Sequence, residues 1–146
     1  MYNGLLHAHS GLRWLLLITL IIAIITAFIG WLGKKEYQKT DNIVALLLLS
    51  FTHLMGMIGI VLYFISPNVK SMKHAMSDAF LRFWTMEHGL VMLIAIVLIT
   101  IGRVKSKKAT EDLVKHKMGA IFYSIAFIMI LWAGIIKPLA LGKGWF

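Results

Sequence analysis

The sequence predicts an all-α integral membrane protein, a four-helix bundle of up-down-up-down topology with both termini on the non-cytoplasmic side. Three observations predict it. Of 146 residues, 60% are hydrophobic and only 14% are charged, whereas a soluble domain is about half apolar and about a quarter charged. The apolar residues fall into four runs, each long enough for the ~20 helical residues that a ~30 Å hydrocarbon core requires. The charged residues gather in the gaps between the runs, so the net charge of +9 reports topology rather than nucleic-acid binding. Residues 1–146 form one transmembrane domain in this reading.

The first run lies between Arg13 and Lys34, bracketed by Trp14 and Trp31, a ring type that favours membrane interfaces. It is longer than a signal-peptide core and no small-residue cleavage site follows, so a retained helix is expected over 9–33. The second run, between Asp41 and Lys70, is broken at Pro67 and gives a helix over 42–66. Ser77-Asp78 is a good N-cap pair opening a third helix over 78–103. Thr110-Glu111-Asp112 opens the fourth, over 111–137, which ends at Lys137-Pro138. Gly144-Trp145-Phe146 reads as an interfacial tail.

Short connections make neighbouring helices antiparallel. The first loop holds Lys34, Lys35 and Lys39. The third holds Arg103, Lys105, Lys107, Lys108, Lys115 and Lys117. Nine of the fifteen basic residues therefore fall on one side, which is assigned to the cytoplasm, although Lys70, Lys73 and Arg82 oppose this around the second loop. The chain has no Cys, which removes disulfides, thiolate metal sites and Cys nucleophiles together. No phosphate-binding Gly loop, HExxH, pair of carboxylates within a span, or Ser or Thr beside a base points to hydrolysis or group transfer.

Two of the six His lie within apolar spans, where an ionisable side chain is costly and marks a functional site by default. His53 sits in SFTHLMGMIGIVLYF and His88 in FWTMEHGLVMLIAIVLITIGR. Counted from Asn42, His53 stands roughly 16 Å up helix two, and counted from Arg103, His88 stands roughly 22 Å up helix three. The two imidazoles are therefore expected to face each other, as metal ligands to the iron of a b-type haem. Ser50, Gly56 and Gly59 give helix two a small-residue stripe that would admit a macrocycle, though such stripes also serve ordinary helix packing. Trp84 and Met92 lie one turn from His88 and would wall the ring. Arg13, Arg82, Lys70 and Lys73 fall where propionates would need cations. Glu87 points away from His88 and is expected to pair with a basic residue or to take up protons.

His7, His9 and Arg13 form the next cluster, with His9 and Arg13 on one helix face at i, i+4. It is a candidate site for a second haem, a metal or a quinone head group, and equally a solvated helix start. Met72, His74 and Met76, on the same side as His7 and His9, offer thioether and imidazole ligands that suit Cu(I). His116, flanked by Lys115 and Lys117, reads as solvated or in contact with lipid headgroups.

HAHSGLRW, THLMGMIG and EHGLVMLIAIVLITIGR, covering most of the first three helices, resemble the small four-helix b-type cytochromes of bacterial inner membranes, loosely cytochrome b561-like. The resemblance implies haem b, electron transfer and reaction with quinol or superoxide. It extends to haem-associated protoporphyrinogen oxidases of similar size. Members with two haems usually carry His on the fourth helix as well, where this chain offers His116. The expected function is thus electron transfer in or across the bacterial inner membrane, with one haem b or two. Membrane lipid, quinone and other membrane redox proteins are the expected partners, the chain acting alone, as a homo-oligomer or as a subunit of a complex. Two other readings stand beside it: a cofactor-free accessory subunit of a larger respiratory complex, and a copper-handling protein built on His7, His9, Met72, His74 and Met76.

Overall fold

In a computed structural model that describes residues 1–144, every regular element is helical. α1 spans Tyr2–Leu32, α2 spans Lys39–Ile65, and a single turn, α3, spans Met72–Ala75. α4 runs over Ala79–Lys108 and α5 over Asp112–Ala140. The four long helices are each long and apolar enough to cross a membrane. Helices suit this setting because all their backbone hydrogen bonds close within the segment. The expected tail at Trp145 and Phe146 lies outside the described residues.

The helix ends follow local chemistry. Before α2, the Gln38 side chain and the Asp41 carboxylate form a reciprocal capping box, and the Gln38 amide donates to Asp41 Oδ2 at 2.9 Å. Asp78 caps α4 as expected, its Oδ1 accepting from the Leu81 amide at 2.8 Å. α1 closes through Lys34, which adopts a positive φ of 50°, so that the Lys35 amide reaches back to the Gly30 carbonyl at 3.0 Å. This is the left-handed closure that more often uses Gly.

Around the bundle, α1 packs on α2, α2 on α4, α4 on α5, and α5 on α1. α1 and α4 therefore occupy diagonal corners. The interior is built from small and medium residues, among them Ala23, Ala95, Ala120, Ala126 and Ala133, around Leu20, Leu48 and Ile99. Ile18, Ile25, Ile60, Phe64, Leu93 and Ile128 point outward. Lipid tails are as apolar as Leu, so close approach of backbones rather than burial of large side chains holds such helices together.

Four boundaries differ from expectation by three residues or more, and the first is the start of α2, at Lys39 rather than residue 42, where the Gln38–Asp41 capping box opens the helix. α1 begins at Tyr2, not residue 9, because nothing in Tyr2–Ala8 breaks a helix once its other end is packed. α4 continues past Arg103 to Lys108, because Arg103 is buried and donates to Asn42 Oδ1 of α2 at 2.6 Å rather than marking an interface. α5 passes Lys137-Pro138 and ends at Ala140, through a change in hydrogen-bond register described next.

Candidate functional site

Two polar clusters lie at opposite ends of the bundle. The first, at the end carrying both termini, is built on two π-helical segments, Phe83–Glu87 in α4 and Trp132–Ile136 in α5. Such segments recur at functional sites because they release carbonyls from the helical ladder. In α5 the Lys137 amide donates to the Trp132 carbonyl, five residues back. The next residue, Pro138, has no N–H to give. The carbonyls of Ala133 and Gly134 thus lose their ordinary helical donors, and side chains from other helices replace them. His88 Nδ1 bonds the Ala133 carbonyl at 2.9 Å, and Arg13 Nη1 donates to the Gly134 carbonyl at 3.1 Å. In α4, Tyr63 donates its hydroxyl to the Thr85 carbonyl at 3.0 Å.

A carbonyl can only accept, so His88 carries its proton on Nδ1 and keeps a lone pair on Nε2. That is the arrangement in which an imidazole is oriented for metal ligation. Its ring lies among Phe83, at 5.6 Å between centroids, and Trp84, at 5.2 Å. Across the diagonal, His9 of α1 lies within electrostatic reach of both His88 and Arg13. His9 Nδ1 and Trp84 Nε1 are buried and have no hydrogen-bond partner among the described residues. Gly59 of α2 leaves the space that the His9 ring fills: a Cβ there would meet His9 Cε1 at 3.4 Å. Arg13 also stacks on Trp14, 5.3 Å from the ring centroid. Trp14, expected at an interface, sits well inside α1. Arg82 and Glu87 form the expected ion pair at 2.8 Å.

His53 is not brought to His88. Its Nε2 meets Thr100 Oγ1 at 2.9 Å, and Thr100 is twelve residues along α4 from His88, a rise of about 18 Å. Thr100 already donates its hydroxyl proton to the Ile96 carbonyl, so it accepts from His53 Nε2–H, and the His53 lone pair lies on Nδ1. The ring is exposed on the outer face of α2. His7 is exposed on α1. Met72 and Met76 are exposed, and His74 Nδ1 bonds Ser71 Oγ at 2.7 Å. Among the described residues no group of three or more His, Asp or Glu side chains could hold a metal ion.

The second cluster, at the lysine-rich end, was hidden in the sequence. His116, expected in solvent or against lipid headgroups, is only 2% exposed. Its ring packs where Gly30 of α1 has no side chain, lies 5.0 Å from the Tyr37 ring, and its Nε2 meets the Glu36 carbonyl at 3.4 Å. The ring borders a cavity of about 20 Å³ shared with Tyr37, Asp41, Ser106, Lys115 and Tyr123, enough for a single water. The clue available in the sequence was the glycine: Gly30 near the end of α1 and Gly119 of α5 mark close approaches. Which side chain fills the gap at Gly30 is a tertiary matter.

Comparison with family models, with curated proteins and with solved structures finds no match to this chain.

Proposed function

We propose that this chain is a b-type haem protein of the bacterial inner membrane that passes electrons in or across the bilayer, with His9 and His88 as the residues that would hold the haem. The observation that carries the reading is the His88–Ala133 hydrogen bond, which leaves Nε2 unprotonated, with a second, half-buried imidazole, that of His9, diagonally opposite, its Nδ1 buried. The donor set suits the group: two imidazoles on different helices, aromatic walls from Phe83 and Trp84, and positive charge from Arg13. The unpartnered Trp84 N–H is a donor for a propionate oxygen. Haem held by His9 and His88 would supply a one-electron couple there, which suits electron transfer. Within that site His88 is oriented by Ala133, His9 by the space at Gly59, and Arg13 by Gly134. His53, first in line as the partner of His88, takes no part in this pair.

The test is an absorption spectrum of the detergent-purified protein before and after dithionite, from cells supplied with haem. A Soret band that shifts on reduction, with α and β bands, is expected, and His9→Ala should lose it while His53→Ala keeps it. A colourless wild-type protein, or a His9→Ala protein with unchanged bands, sinks the assignment. The colourless outcome favours the second reading, a cofactor-free accessory subunit, which draws support from the protein partners that both His53 and His88 have found.

The orientation proposed with this function puts the lysine-rich end in the cytoplasm and both termini outside. A reporter that is active only after export, fused to the C-terminus, should be active. A fusion active only in the cytoplasm reverses the topology.

A further inference from the structure

Each long helix presents an outward stripe, and three of the four are apolar throughout mid-span. α1 shows Leu15, Ile18, Ile22, Ile25 and Ile29, α4 shows Leu90, Leu93, Val97 and Ile101, and α5 shows Ile121, Ile125 and Ile128. α2 differs. Its outward stripe reads Leu46, Ser50, His53, Met57, Ile60 and Phe64, all exposed, and places a hydroxyl and an imidazole in the middle of an apolar run. Hydrocarbon offers neither of them a partner, and intramembrane ionisable groups almost always face protein or water.

We infer that α2 is the contact helix of a parallel homodimer, in which the Ser50–His53 step of one copy meets the same step of the other. The spacings of four and three along the stripe match the left-handed crossing common between membrane helices. A membrane holds every copy of a chain in the same orientation, so a two-fold axis along its normal brings each residue opposite its own counterpart at equal depth. The hydrogen-bond inventory is self-complementary under that axis. His53 spends its N–H on Thr100 and has an acceptor left on Nδ1. The Ser50 hydroxyl, three residues away, falls back on its own helix at the Leu46 carbonyl, 2.9 Å. It swings to donate to His53 Nδ1 of the other copy. A second copy thus supplies a donor for the one acceptor that this step leaves open, without any further kind of chain, and Met57 and Ile60, each 60% exposed, pack beside the axis. The inference is independent of the haem assignment.

The chain's lack of Cys makes the test direct. Single-cysteine variants Met57→Cys and Ile60→Cys are oxidised with copper-phenanthroline in native membrane vesicles, beside Ile22→Cys, Val97→Cys and Ile128→Cys on the other outward faces. The α2 variants should give a disulfide-linked species at twice the chain mass, several-fold more than any of the other three. Adding His53→Ala to Met57→Cys should weaken the dimer about tenfold, equivalent to about 1.4 kcal/mol, read from the loss of cross-linked product as lipid dilutes the protein. Equal cross-linking from all faces, none from α2, or α2 cross-links only to a protein of another mass overturns the inference.

Discussion

Replacing His88 by Ala is expected to remove the absorption bands and to lower the melting temperature in detergent. The substitution takes away the Nε2 proposed as ligand and the Nδ1–H that meets the Ala133 carbonyl. That carbonyl has no substitute donor, because the π register sends the Lys137 amide to Trp132 and Pro138 has none. A buried carbonyl left unmet costs about 1–3 kcal/mol, and the ring's contacts with Phe83 and Trp84 are lost in addition. His88→Asn separates the two roles. The Asn amide nitrogen stands where Nδ1 stood and can donate to Ala133, but the side chain offers no imidazole lone pair. We expect His88→Asn to be as colourless as His88→Ala and to unfold within about 1 kcal/mol of haem-free wild type. Haem stoichiometry and thermal unfolding followed by circular dichroism read both. A His88→Asn protein that retains its full complement of haem excludes His88 as a ligand.

Gly102→Val is expected to be the most disruptive single change in the bundle. α4 and α5 are its most extensively packed neighbours, and Gly102 of α4 lies directly against Phe122 and Tyr123 of α5. A Cβ at Gly102 would fall 2.6 Å from Phe122 Cβ and 3.2 Å from Tyr123 Cε1. Phe122 Cβ is fixed to its backbone and cannot rotate away, so the helices must part. Overpacking typically costs about 1–3 kcal/mol and can exceed that; with no flexible atom to yield, we expect about 3 kcal/mol or more. Gly89→Ala on the same helix is the control. Nothing lies within 4 Å of a Cβ there, and relief of the glycine's helical penalty should leave the protein unchanged or stabilise it by up to about 1 kcal/mol. Equal melting of Gly102→Val and wild type would show that α4 and α5 do not pack as described.

The pairing of histidines shows why the helices were legible in the sequence and the site only partly so. Ending the third helix at Arg103 put His88 roughly 22 Å above that point; carried on to Lys108, the same rise puts it about 30 Å from the helix end. His9 stands about 34 Å above Leu32 on that count, within about one turn of His88, while His53 stands about 21 Å above Lys39. The expectation failed at a buried charge. Arg103 resembles an interface residue in sequence, and only its bond to Asn42 shows that it lies inside. His116 misled in the opposite direction, since two flanking lysines made a buried ring look solvated. The Lys137-Pro138 step read as a terminus and proved to be the device that frees two carbonyls for His88 and Arg13.

The sequence by itself determined four long apolar helices, the capped start of the third, and the gathering of basic charge at one end, because hydrophobicity, capping and charge act locally along the chain. Tertiary structure alone decided which imidazoles come within electrostatic reach of each other, which carbonyls are left open to receive side chains, and which outward face carries polar groups. Those depend on the rotation and relative height of helices distant in sequence, and an error of one turn displaces a side chain by 5.4 Å and can exchange one partner for another.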